Sequence, residues 1–211
     1  MSTGGVGLTP AVAAALDAAA IPTSKVGPGR HELLSGGERE LYFWILRRFA
    51  ASGRPSGEET RETAGRLGLD ADRALKTLAA QDLVHLDQAG EIVVAYPFSG
   101  RATKHRVRFA GGHEVDAMCA LDALGIAPML DEAIEINSRD PVTGERVEVK
   151  LTPSGTGSWQ PEGAVVVCGA SGGGESCGSC CPGTELLCFC RERGAMARRA
   201  TRRARVRHEH R

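Results

Sequence analysis

Cys119 and Asp122 stand three positions apart in Met118-Cys119-Ala120-Leu121-Asp122, and a doublet, Cys180-Cys181, follows about sixty residues later. On a helix, residues three apart leave from the same face. A thiol and a carboxyl on one face, with a second thiol arriving from a distance, suit chemistry on a soft metal that also moves a proton. Thiolates are the ligands soft cations prefer, and a carboxyl is a competent proton carrier. The second thiol is Cys180 or Cys181, because adjacent side chains do not easily both face a metal held by Cys119. Two blander readings compete. Cys119 alone on an apolar helix would be an inert core cysteine. Cys177, Cys180, Cys181, Cys188 and Cys190 could hold a structural zinc, although Cys188-x-Cys190 does not match the usual second pair of a zinc knuckle.

The elements that must position the pair follow from local signals. Asp116 is a reasonable N-cap, which predicts a helix carrying Cys119 and Asp122 and ending before Gly125. Cys119 then falls in the first turn, where backbone N–H groups and the helix dipole favour a thiolate. That matters because an unperturbed thiol, with a pKa of about 8.5, is only a few per cent ionised at pH 7. Asp122, one turn on, can accept the thiol proton and later deliver it. Its setting between Leu121 and Ala123-Leu124 is apolar, and burial raises a carboxyl's pKa, which keeps the proton available for delivery near neutral pH.

The run from Met118 to Leu124, the turn Ser138-Arg139-Asp140-Pro141-Val142-Thr143-Gly144 and then Cys180-Cys181-Pro182 together resemble the organomercurial (alkylmercury) lyases. The resemblance spans roughly residues 36–187, and Cys-Ala-Leu-Asp is its most specific piece. It implies a helical, winged-helix-like N-terminal region followed by a mixed core, and an enzyme that cleaves carbon–mercury bonds by protonolysis. In that family the Cys-Ala-Leu-Asp segment supplies a thiol and the acid, carried here by Cys119 and Asp122. The first cysteine of the later doublet is catalytic, which points to Cys180, with Cys181 accessory. The resemblance further implies an organomercurial substrate, Hg(II) as product with Cys119 and Cys180 as its ligands, and no organic cofactor. External thiols would release the metal, with hand-off to mercuric reductase or small thiols. Three departures stand out. Leu186-Leu187-Cys188-Phe189-Cys190 runs straight into an Arg-rich tail where lyases continue with an aromatic segment and helices. An accessory cysteine of some members falls near Asp140. Val115-Asp116-Ala117 stands where an aromatic residue often precedes the catalytic cysteine.

Composition sets the outer bounds. The chain has 211 residues, 42% of them hydrophobic but only 4% aromatic, so the core must rest on Val, Leu, Ile and Ala. No run of about eighteen apolar residues exists to span a membrane. The Ala-rich segment 11–20 contains Asp17 and lacks a cationic lead, so it reads as a helix and not as a signal peptide. Seven cysteines, six of them between 168 and 190, do not form a secreted disulfide pattern, and a reducing cytoplasm is expected. The net charge of zero hides a tail, Arg191 to Arg211, with nine Arg against two Glu.

Four regions and an α+β fold are expected. Residues 1–30 form a flexible extension, 31–95 a winged-helix-like module, 96–190 the thiol-bearing core with antiparallel strands, and 191–211 a basic tail. In the module, Leu41, Trp44, Ile45 and Phe49 recur at helical spacing up to Ser52-Gly53. A second helix covers 58–67, and Asp70 caps a third with an Ala71, Ala74, Leu75 and Leu78 stripe. Val84-His85-Leu86 and Ile92-Val93-Val94 form a hairpin. The third helix opens with Asp70 and Asp72, whose charge argues against nucleic-acid binding. A metal-responsive regulator with a winged helix remains the alternative function. In the core, strands are expected at 105–109, 114–115, 133–137, 146–151 and 163–168. The Gly-Ser-rich stretch 169–179 reads as a loop able to swing Cys180 over the site. Ser154 to Gly157 reads as a loop too, and Trp159 as a packing anchor.

Overall fold

The computed structural model describes residues 30–141, 143–168 and 184–188. Most of the expected extension 1–30, the loop 169–179, the doublet Cys180-Cys181 and the tail 191–211 lie outside the described residues.

A short 3-10 turn, Arg30–Leu33, leads into α1 (Gly36–Ser52), α2 (Gly57–Arg66) and α3 (Ala71–Ala80). Each of the three α-helices begins where its sequence says it should. Ser35 and Ser56 cap α1 and α2 in reciprocal boxes with Glu38 and Glu59, and the Asp70 carboxylate accepts the Arg73 N–H at 2.8 Å. Gly53, at φ 90°, closes α1 in a conformation that suits glycine. Leu41, Ile45, Leu46 and Phe49 of α1 are fully buried, while Trp44 is only half-buried.

The strands are β1 (Val84–Leu86), β2 (Ile92–Ala95), β3 (Phe98–Ser99), β4 (His105–Phe109), β5 (Glu114–Ala117), β6 (Ile134–Arg139), β7 (Arg146–Leu151) and β8 (Gly157–Gln160). They form one antiparallel sheet in the order β1-β2-β3-β5-β4-β6-β7-β8, and β9 (Ala164–Cys168) pairs with β10 (Thr184–Cys188) separately. Period-2 alternation gives the sheet its inner face: His105, Val107 and Phe109 point inward with Ile134, Ile136, Ser138, Val147 and Val149, while Arg106 and Arg108 face out. Helix α4 (Ala120–Leu130) lies beside β4, β5 and β6, with β10 next to it. The fold is therefore α+β with an antiparallel sheet.

The expected hairpin forms as β1–β2, but β3 joins it to the same sheet as the core strands. One hydrophobic cluster holds α1 to α3, α4 and the sheet together, and Phe49 of α1 stacks on Phe98 of β3 at 5.6 Å between centroids and 6° between planes.

Four expectations are corrected. Asp116 does not cap a helix; it is buried in β5, where its carboxylate accepts the Thr103 N–H at 3.1 Å and meets Arg106 at 3.4 Å. The helix does not stop before Gly125 but runs on to Leu130 and closes at Asp131 in the left-handed region (φ 57°), because Ile126 and Ala127 are fully buried and their packing offsets the helical cost of glycine, about 1 kcal/mol. Gly157 opens strand β8 instead of ending a loop. Trp159 is half exposed on that strand, its Nε1–H donating to the Glu162 carbonyl at 3.1 Å, so it anchors no core.

Two predictions follow from the packing. Phe98→Ala, which removes a fully buried ring between helices and sheet, is expected to cost about 3–5 kcal/mol and to lower a single cooperative transition in denaturant titration. Two resolved transitions would show that the residues on either side of 95/96 unfold independently. Glu59 is held well below the ordinary carboxylate range, to about 2, first by the Ser56 backbone N–H and then by Arg48 and the Ser56 hydroxyl. Because its folded pKa is the depressed one, its stabilisation is present above about 4.5 and is lost as pH falls towards 2. Glu59→Gln is therefore expected to lower Tm at pH 6, with the gap from wild type closing between pH 4.5 and pH 2; a constant gap would contradict this.

Candidate active site

The site is built where β5 hands over to α4. Ala117, the last residue of β5, pairs with Phe98 on one side and His105 on the other, so the strand end is held from both edges. The Thr103 hydroxyl adds a bond to the Ala117 carbonyl at 2.7 Å. Beyond it, the Met118 N–H donates to the Pro97 carbonyl at 3.0 Å. Cys119 follows in extended conformation (φ −152°, ψ 179°) and is itself the N-cap of α4.

This changes the geometry expected of the pair. Cys119 and Asp122 are not two side chains stacked on a helical face. The Cys119 Sγ accepts the backbone N–H of Asp122 at 3.5 Å, and the Cys119 carbonyl accepts the Ala123 N–H at 2.9 Å. A thiol here takes the place that Ser or Thr usually fills at a helix start, with the acid at the third helical position. The sulfur faces an N–H at the positive end of the helix dipole, an arrangement that suits a sulfur carrying negative charge.

Burial completes the setting. Cys119 is 4% exposed and clusters with Val94 and Tyr96, with Val93 and Met118 packed alongside. Asp122 is half-buried, and Leu121 beside it is 47% exposed. The Tyr42 hydroxyl from α1 donates to the Tyr96 carbonyl at 2.6 Å. Its ionisation is pushed above the ordinary phenol range, first by burial and then by the negative charge of Asp122, so it stays a hydrogen-bond donor at any working pH.

Further polar groups are buried at this end of the sheet. His105 Nδ1 lies 2.9 Å from the Ser138 hydroxyl, and both residues are buried. Asp140 is also buried; its carboxylate accepts the Thr143 N–H at 3.1 Å and shapes the turn between β6 and β7. No group of three or more His, Cys, Asp or Glu side chains could hold a metal among the described residues. Two surface grooves, one lined by Phe109, Ile134, Lys150 and Leu151, the other by Arg30, Leu33, Asp82 and His85, include neither Cys119 nor Asp122.

Of the residues the sequence singled out, Cys119 and Asp122 are brought together. Cys180 and Cys181 lie outside the described residues, as does Cys177 of the zinc alternative. Sequence reading missed Tyr42, because a tyrosine inside a helical apolar stripe carries no local sign of a polar partner 54 residues away. It also missed the His105–Ser138 pair, although His105 stands at an inward position of an alternating strand, and that signal could have found it.

A buried thiol with a carboxyl residue three positions on, at the start of a helix on an antiparallel α+β core, is the arrangement the described residues present. The family model for MerB, alkylmercury lyase, matches residues 98–206, just over half of the chain, and the chain belongs to that family. Its reaction is the cleavage of carbon–mercury bonds. A solved structure described as the mercury-bound form of MerB2 has the same fold, with a TM-score of 0.60 at 20% identity over 75% of this chain and 79% of that one. No curated protein matches.

The capping geometry separates structure from chemistry. Cys119→Ser keeps a good N-cap acceptor and is expected to leave unfolding free energy unchanged or raised. Cys119→Ala removes the acceptor and is expected to cost about 0.5–2 kcal/mol. Equal stabilities of Cys119→Ala and wild type in urea titration would show that the Sγ contact contributes nothing to the helix start.

Proposed function

We propose that this lyase works by protonolysis with Cys119, Cys180 and Asp122 as its working groups. Mercury is a very soft cation, and two thiolates bound to it push electron density onto the attached carbon. Asp122 delivers a proton to that carbon. The carbon–mercury bond breaks as a carbon–hydrogen bond forms, leaving the hydrocarbon and Hg(II) on two sulfurs. Two thiols supply two protons; one ends on carbon and the other leaves to solvent. Nothing organic need be bound for this balance to close. External thiols then draw the product away, and a small thiol or mercuric reductase is the expected recipient.

The observation that carries the reading is the Cys119 N-cap with Asp122 as its N–H donor. It supports the reading because Cys119 and Asp122 stand within one helical turn of each other. Support for the second sulfur is indirect: β10 begins at Thr184, four residues after Cys180, and runs beside α4, the helix that Cys119 starts. Cys181 is read as accessory. Residues 31–95 are read as a winged-helix-like structural module, and 96–190 as the thiol-bearing core. No helix among the described residues is long and apolar enough to cross a membrane, and thiols that must stay reduced suit the cytoplasm.

The test is direct. Purified protein given phenylmercury and excess thiol is expected to release benzene; none above the Cys119→Ser background would sink the assignment of Cys119. Asp122→Asn is expected to keep mercury binding and lose about 10²–10⁴-fold in turnover. Unchanged turnover would remove Asp122 from the mechanism.

A further inference from the structure

Helix α1 makes a polar contact beside the site through Tyr42. Among its buried residues Leu41, Tyr42, Ile45, Leu46, Phe49 and Ala50, only Tyr42 carries a polar side-chain atom. A phenylalanine would fill the same apolar space, so whatever the hydroxyl does comes from its partner. That partner is the Tyr96 carbonyl, 2.6 Å away. The next carbonyl along the chain, that of Pro97, accepts the Met118 N–H at 3.0 Å, immediately before Cys119. Tyr96 also shares a buried cluster with Cys119, with Met118 packed on it. Asp122 lies close enough for its charge to act on the same hydroxyl. One side chain from the N-terminal helices therefore touches the strap behind the thiol and neighbours the acid.

We propose that Tyr42 is a positioning residue for carbon–mercury cleavage: by binding the Tyr96 carbonyl it holds the 96–97 strap against Met118-Cys119 and keeps the Cys119 sulfur over the Asp122 N–H. The inference rests on the reading of Cys119 and Asp122 as working groups. Its logic is geometric. The sulfur is held by one long contact at 3.5 Å, so its aim depends on the backbone that carries it. That backbone is fixed on one side by sheet pairing and on the other by the strap. Loosening the strap leaves the substrate's apolar surroundings in place and misdirects the reacting atoms, and misplacement by an ångström costs rate steeply.

The experiment compares kcat and KM for phenylmercury, with excess small thiol, in the full chain. The variants are wild type, Tyr42→Phe and Tyr42→p-aminophenylalanine, with Cys119→Ser and Asp122→Asn as controls. All are checked for folding by circular dichroism. Tyr42→Phe is expected to lower kcat about tenfold with KM within about twofold. The aminophenylalanine variant keeps a weaker donor in the same place, and its kcat is expected to fall between the other two. A wild-type kcat in Tyr42→Phe, or kcat and KM worsening together, overturns the proposal. Should Tyr42→Phe fail to fold, the aminophenylalanine variant decides: lowered kcat at unchanged KM supports the proposal, and a wild-type kcat overturns it. Full turnover in Cys119→Ser would instead bring down the underlying site assignment, whichever way the Tyr42 variants behave.

Discussion

The hydrogen bond from the Asp122 backbone N–H to the Cys119 sulfur ties together the two residues proposed as ligand and acid, and the strand and turn behind it hold it in place. It is a weak contact taken alone. A sulfur acceptor at 3.5 Å cannot orient a side chain against an uncooperative backbone. What makes it effective is the strand behind it. Ala117 is paired on both sides, Met118 is bonded to Pro97, and Cys119 stays extended before the helix turns away. The sulfur therefore arrives at the helix start already aimed.

The same constraint explains the burial pattern. A thiol facing water would bind soft metals without controlling what happens to the attached carbon. Here Cys119 sits among Val94, Tyr96 and Met118, while the neighbouring Leu121 stays largely exposed. The surroundings of the sulfur are thus apolar. Low polarity around the sulfur strengthens its contact with the N–H at the helix start. The helices of the N-terminal region share in this arrangement, since Phe49 stacks on the strand that pairs with β5 and Tyr42 bonds the residue that packs on Cys119.

Much of the fold was legible because its signals are local. Ser35, Ser56 and Asp70 each offer an oxygen to a first-turn N–H, and their helices start where those residues stand. His105, Val107 and Phe109 alternate with two arginines, and a strand half-buried on one face leaves that trace. The strands that escaped notice, β3, β8 and β10, are short, and their pairing partners rather than their composition make them strands. Asp116 misled for a related reason. Its carboxylate is a good cap in isolation, but pairing of 114–117 with β4 claims that backbone, and the cap passes three residues on to a cysteine that few would choose for it.

By itself the sequence determined the reagents: a thiol and an acid three residues apart, a second thiol pair downstream, and a family whose chemistry uses both. Residue type and spacing are properties of the chain, so they survive any fold. Tertiary structure decided how Cys119 and Asp122 are placed. It moved the helix start from Asp116 to Cys119, carried α4 past Gly125 on the burial of Ile126 and Ala127, and brought Tyr42 to the strap beside the sulfur. Each of these depends on contacts between residues far apart in sequence, where pairing and packing energies outweigh the local preference of any single residue.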